Sequence, residues 1–297
     1  GEDASGVYGM STLLRFLFAN GAGAVKAVAV GKDESEEKDY ASAFAALSDE
    51  EDVGVMVCDS AAQSVHLLLK TAAEDASAAR RERIAVIGGS EETVAQMVNR
   101  AKAVNSERVV LVGPDIASDD GGTMSAVFAA AAVIAGNTDP SVPINGAELT
   151  LFGAAGKRLS DNEIDQLVRG GVTPIETVGG VSSPVRGITT KTSSGGAADT
   201  TWRELTTILI VDEVIPTIRS ALRTRFARSK NTAQSRGAIR SQVVLELEEM
   251  KSREIVDSYG EVLVSALKSD PTVCLVEFSF TVAHGLNRIY LTAHITV

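Results

Sequence analysis

Short β-prone runs alternate with Ala-, Leu- and Glu-rich stretches through the first half of the chain, the pattern of a sheet covered by helices. Residues 25–30, 53–58, 84–87 and 108–112 read as strands. Between them, residues 40–47, 61–79 and 91–104 have the composition of helices. The strand runs are continuously apolar rather than alternating, which predicts parallel strands buried on both faces. The expected layout is α/β, an open, doubly wound and mostly parallel sheet.

A Gly/Pro/Asn/Asp-rich passage at 136–146 reads as a surface loop, followed by a short strand at 148–152. Ser160-Asp-Asn-Glu163 then places a carboxylate three residues after a Ser, the signature of a capping box, and Gly170-Gly171 marks the end of that helix. Extended structure is expected to resume over 172–178. Residues 189–200 hold no apolar side chain larger than Ala. They read as a flexible linker between an α/β domain at 1–195 and a smaller α+β domain at 196–297.

Beyond it, Leu205, Ile208, Leu209, Ile215, Ile218, Leu222 and Phe226 keep near-helical spacing, with Pro216 expected to kink or split the element. Ile239, Val243, Leu247 and Met250 mark a second amphipathic helix. Period two takes over at the end of the chain. Cys274, Val276, Phe278, Phe280 and Val282 share one strand face. Ile289, Leu291, Ala293, Ile295 and Val297 share another, opposite Arg288, Tyr290, Thr292, His294 and Thr296. Joined by His284-Gly-Leu-Asn287, the two runs predict a closing antiparallel β-hairpin with one buried face, whose last strand is an edge able to pair with another subunit.

Composition narrows the function. At 297 residues, with 44% hydrophobic and 23% charged positions, the chain can bury a large core and fits two domains. Aromatics are only 4% and the net charge is -11, so neither base stacking nor phosphate-backbone binding is supported, and no nucleic-acid partner is expected. Basic residues do gather locally, at Arg219, Arg223, Arg225, Arg228 and Lys230, either as a solvated face or as a patch for an acidic surface. The two cysteines, Cys58 and Cys274, sit in apolar runs, which excludes a disulfide framework and favours a reducing compartment. The apolar stretches 126–135 and 208–215 fall short of the roughly 20 residues of a membrane span, so no membrane insertion is expected. The chain opens on Gly-Glu-Asp, without a signal-peptide pattern, which raises the expectation of a shortened N-terminal side with no extended arm before Val7.

Catalytic signatures are scarce. Gly153-Ala-Ala-Gly156-Lys157-Arg158 has the wrong spacing for a phosphate loop and lacks its hydroxyl. Gly88-Gly89-Ser90 follows a strand and is expected to open a helix, a position able to hold an anion, but it lacks the dinucleotide Gly-x-Gly-x-x-Gly pattern and a tight strand-to-helix turn is the preferred reading. The three histidines, His66, His284 and His294, are scattered, no Gly-x-Ser-x-Gly elbow occurs, and the spacing suits no zinc site. Asp115, Asp119 and Asp120 do not follow the calcium-loop order. Glu34, Glu36 and Glu37, like Glu50, Glu51 and Asp52, read as solvated loops. No catalytic residue, metal or cofactor is expected, and the chain is read as a structural protein rather than an enzyme.

Several segments in order resemble the contractile phage tail sheath family. They are Asn20-Gly21 with the valine-rich run after it, Gly146-Ala-Glu-Leu-Thr-Leu-Phe-Gly153, residues 159–175, residues 202–226 with Val211-Asp212, Lys230-Asn231-Thr232 through Arg240, and the closing hairpin. The resemblance implies a structural subunit that assembles with identical copies into a helical tube around an inner tail tube and contracts to drive that tube through a target envelope. It implies a place in the virion tail, assembly in the host bacterial cytoplasm, extended arms lending strands to neighbours, and no nucleotide. The assembly interface expected from the residues comprises Ile289, Leu291, Ile295 and Val297 on the last strand and Arg219, Arg223 and Arg228 in the basic run. A nucleotide- or flavin-binding α/β enzyme is the competing reading, carried by the sheet pattern and the Gly88-Gly89 turn.

Overall fold

The computed structural model describes residues 10–30, 35–89, 92–114, 125–150 and 158–287. The chain divides into one unit of residues up to Thr138 together with Pro143–Leu205, and a second of Asp139–Val142 and the chain from Thr206 onward.

The first unit holds α1 (Met10–Ala19), α2 (Glu36–Ala46), β1 (Val55–Val57), α3 (Gln63–Ala78), β2 (Ile84–Gly88), α4 (Val94–Val104), β3 (Val109–Gly113), α5 (Ser125–Gly136), α6 (Asp161–Arg169), β4 (Val172–Val178), β5 (Val181–Pro184) and the two-residue strands β6 (Ser193–Ser194) and β7 (Ala197–Ala198). Every residue of β2 and β3 is buried, as continuous apolar runs in a parallel sheet should be. On one face Ala85, Ile87, Val109, Leu111 and Val172 join a core with Phe44, Leu69, Met97, Val104 and Leu167 from α2, α3, α4 and α6. Helix α5 lies against β1, β2 and β3 on its own account, with α1 packed on it. Its approach is close: a Cβ at Gly88 would stand 2.3 Å from Val127 Cγ2, so this strand position accepts no side chain.

Among the described residues the sheet order is β1-β2-β3-β4-β5. The first four strands are parallel, and β5 returns antiparallel to β4 through Gly179-Gly180, both at positive φ as a tight hairpin requires. The parallel, buried α/β layer expected from the sequence is present. The doubly wound order is not seen, because the strands follow one another without the reversal that defines a switch point.

Other expectations shift as well. Residues 25–30 form no strand. Of the run 148–152, Leu149 makes a lone bridge to Ser182, and the remainder past Thr150 lies outside the described residues. The stretch read as a linker is tied into the first unit: Thr189 and Thr190 are fully buried, with amides donating to Arg203 O and Val109 O. Asn105 holds the chain beyond Lys191, its Oδ1 accepting from the Thr192 and Ser193 amides at 3.0 and 3.1 Å. Hydroxyls and amides, rather than apolar side chains, fix this segment, which is why an apolar count misread it. The capping box is present as expected: Ser160 Oγ accepts from the Glu163 amide, and the Glu163 carboxylate accepts from the Ser160 amide at 2.9 Å.

The second unit consists of α7 (Leu205–Phe226), α8 (Ala233–Ser252), β8 (Val256–Tyr259), β9 (Leu263–Leu267), β10 (Asp270–Glu277) and β11 (Phe280–Val282). Helix α7 runs unbroken past Pro216. Ile210, Val214 and Ile218 pack with Val243, Leu247 and Met250 of α8 and with Ile255, Val256 and Val262.

Candidate assembly surface

The chain from β8 to β11 folds back on itself as one bent antiparallel ribbon. Leu263 to Ala266 pair with Glu277 to Cys274, and Val256, Ser258 and Tyr259 pair with Val282, Thr281 and Phe280. Between the two ladders the Gly260 amide donates to Ser279 O at 2.8 Å. A Cβ at Gly260 would lie 2.5 Å from Ser279 Oγ, so a side chain there would turn that hydroxyl aside. Residues 288–297, the expected hairpin partner of the run 273–283, lie outside the described residues, and the described partner of that run is the segment 256–267. Gly260 interrupts the alternation there, so period two alone does not reveal it. Asn287 is the last described residue, and the interface residues Ile289, Leu291, Ile295 and Val297 lie outside the described ones.

The ribbon has two distinct faces. Val264, Val276, Phe278, Phe280 and Val282 pack on the helical core, with the Phe278 and Phe280 rings stacked at 6.2 Å. The alternate positions Leu263, Leu267, Val273 and Leu275 point away and are 37% to 51% exposed. Four large apolar side chains on one narrow ribbon form an apolar patch of the kind that marks an interaction surface. Asn231 fastens the ribbon near its tip: Nδ2 donates to Pro271 O at 2.8 Å and Val273 O at 3.3 Å, and Arg236 holds Asn231 Oδ1 at 2.9 Å. Thr232 beside it caps α8, its hydroxyl accepting from the Ser235 amide at 3.1 Å.

The basic run is divided by the fold. Arg219 is half-buried on α7, while Arg223 and Arg225 occupy its last turn, where cations offset the carbonyl end of the helix. Arg225 bonds to Gln242 of α8. Arg223, Arg228 and Lys230 are exposed. Arg219 and Arg223 are four residues apart and share a helix face, and Arg228 follows the helix end.

Enzymatic chemistry in an α/β layer would be sought at the carboxyl ends of the parallel strands. The described side chains there are committed to one another. His66 is fully buried, with Nε2 2.8 Å from Ser60 O and Nδ1 3.1 Å from Arg100 Nη1. A guanidinium only donates, so Nδ1 accepts and the Nε2 proton goes to Ser60 O. Burial, with the Arg100 charge adding to it, pushes the imidazole pKa down to about 4. Arg100 in turn holds Glu92 Oε1 at 2.6 and 2.9 Å. Tyr40 donates to Asp59 at 2.6 Å, and Ser60 Oγ donates to Glu36 at 2.6 Å. Burial pushes the Cys58 thiol up to about 12, far from a reactive thiolate. The Gly88-Gly89 turn does not open a helix. Helix α4 starts later, after Thr93, whose hydroxyl accepts from the Gln96 amide in a capping box.

Asp115, Asp119, Asp120 and His294 fall outside the described residues, and His284 is exposed. Among the described residues no group of three or more His, Cys, Asp or Glu could hold a metal ion, and no helix is long and apolar enough to cross a membrane.

Residues 197–296 match the family model of the phage tail sheath C-terminal domain. Over 223 residues the chain is 28% identical to the tail sheath protein of Bacillus phage SP01, an alignment that covers 72% of this chain and 38% of that protein. The chain therefore spans well under half the length of this curated relative. Among solved structures, a chain of the anti-feeding prophage baseplate superposes with a TM-score of 0.77 at 13% identity, covering 97% of this chain and 81% of the other. A chain of the anti-feeding prophage helical sheath in its contracted state gives 0.69 at 13% identity, covering 96% and 81%. The sheath tail protein of Desulfitobacterium hafniense gives 0.66 at 14% identity, covering 88% and 65%. At these identities the structures speak for the fold. Together with the family match over the C-terminal third, they bear out the resemblance to contractile phage tail sheath proteins read from the sequence.

Proposed function

We propose that this chain, which carries a phage tail sheath C-terminal domain, is a structural subunit of a contractile tail sheath that associates with copies of itself in a virion tail or phage-like particle. Its partners in this reading are identical subunits in a helical tube and the inner tail tube they enclose, and contraction drives that tube through the target envelope. Assembly takes place in the host bacterial cytoplasm. The reading assigns residues 1–195 to an α/β sheath domain and 196–297 to the C-terminal sheath domain.

The observation that carries it is the exposed apolar face of the β9–β10 ribbon within that C-terminal domain. A surface of this kind suits a subunit buried among neighbours, and an open tube needs contacts between unlike patches. Ile289, Leu291, Ile295 and Val297 supply strand edges to a neighbour in this reading, since main-chain pairing needs no special side chain. Arg219, Arg223 and Arg228 meet acidic surface on a chain of net charge -11.

Sedimentation velocity on the full-length protein tests it. Wild type forms large, concentration-dependent species, whereas Leu263→Asp with Leu275→Asp remains at the size of the smallest species. Equal sedimentation of the two, with unchanged circular dichroism, would remove the ribbon face from the interface. Raised salt weakens the association if the arginines contribute to it, because exposed charge pairs are screened.

A further inference from the structure

We propose that the Asn20 carboxamide guards the outer edge of the sheet beyond β5, taking the main-chain positions of a further strand at Thr150 and so keeping a second copy of the chain from pairing there. Residues 146–150 border β5: the Gly146 and Leu149 amides donate to Pro184 O and Ser182 O, and Leu149 bridges Ser182. Main-chain groups of successive residues in an extended segment point to opposite sides. With the Leu149 amide on β5, those of Glu148 and Thr150 face away from the sheet. An outward row of this kind is a template on which another chain adds a strand.

Asn20 stands on that row. Its Oδ1 accepts from the Thr150 amide at 2.8 Å and its Nδ2 donates to Thr150 O at 3.2 Å. A side-chain amide offers the same donor and acceptor as a peptide group, so the two bonds reproduce one rung of a β-ladder. The Thr150 hydroxyl adds bonds to Asn20 Oδ1 at 3.2 Å and Ala19 O at 3.1 Å. Asn20 is buried by these contacts, and the Thr150 main chain is closed to any other partner.

The carboxamide is held by a helix end that does not need it. Helix α1 stops with the Ala22 amide donating to Leu17 O and the Gly21 amide to Phe18 O, with Gly21 at φ +104°, a Schellman stop made by main chain alone. What the Asn20 side chain adds is the seal on Thr150 and a tether of its own, Nδ2 donating to Phe16 O at 2.8 Å. Helix α5 fixes the same point from another side, since a Cβ at Gly136 would stand 2.7 Å from Gly21 O. Without the seal, two copies of the segment can pair antiparallel about a two-fold axis. Such a contact closes on itself and competes with the open contacts between unlike patches that a tube requires.

Sedimentation velocity on wild type, Asn20→Ala and Asn20→Ala with Thr150→Pro tests this. Asn20→Ala bares the Thr150 groups and associates at about tenfold lower concentration than wild type, the gain that one freed rung supplies. Adding Thr150→Pro removes the amide and cancels the gain. Amide exchange over residues 146–150 of Asn20→Ala, read by mass spectrometry, is fast in dilute protein and slows as concentration rises. An Asn20→Ala chain that is folded by circular dichroism and sediments as wild type overturns the proposal, as does a gain that survives Thr150→Pro. Should Asn20→Ala fail to fold, Asn20→Asp decides: it keeps the acceptor for the Thr150 amide, loses both Nδ2 bonds and associates more readily than wild type, and sedimentation equal to wild type overturns the proposal. The gain persists when Leu263→Asp and Leu275→Asp are added, so this edge and the ribbon face stand or fall separately.

Discussion

Two buried polar side chains set much of the behaviour of the first unit. Arg83 is 1% exposed and donates to Leu47 O at 3.0 Å, Ser48 O at 3.4 Å and Glu50 O at 2.5 Å, gathering the turn between α2 and β1. Arg83→Met keeps the stem but strands those carbonyls, so it should cost about 2–4 kcal/mol in urea unfolding. His66 gives a pH signature. Its folded pKa of about 4 lies below the unfolded value of roughly 6.5, so the unfolded state binds the proton first. Its contribution is whole above pH 6.5 and is lost as pH falls toward 4, to a total of roughly 3 kcal/mol. Between pH 6.5 and 5 few carboxylates titrate, and the slope of stability against pH in that window should flatten in His66→Gln.

At the scale of elements, the parallel strands and the helices between them were legible because burial on both faces leaves unbroken apolar runs. The helix at 161–169 was legible because its cap is written in side chains, Ser160 and Glu163. Residues 189–200 were misread because their order comes from Asn105, Thr189 and Thr190 rather than from apolar burial. The ribbon was half legible: the face from Cys274 to Val282 was found, while its described partner, the segment 256–267, was hidden by the break at Gly260. Of the proposed interface, the sequence signalled the arginines by their clustering. It did not signal Leu263, Leu267, Val273 and Leu275, whose exposure depends on which face the core takes. Asn231 was noticed only as part of a resemblance, and its side chain proves to be the latch on the ribbon tip. Asn231→Ala should lower stability by about 1 kcal/mol and speed amide exchange in β9 and β10 selectively. Uniform acceleration across α8 and β8 as well would mean that the latch supports the whole unit.

For the whole molecule, the apolar ribbon face fits the proposed reading, in which function resides in packing against copies of the chain. A basic helix end on a chain of net charge -11 and an exposed apolar strand face are complementary means of building contacts between unlike patches. Electron microscopy of the full-length protein at high concentration tests this most directly. The account predicts tubes or rings of repeated subunits with the β9–β10 ribbon buried between neighbours, and isolated monomers at every concentration and salt would contradict it.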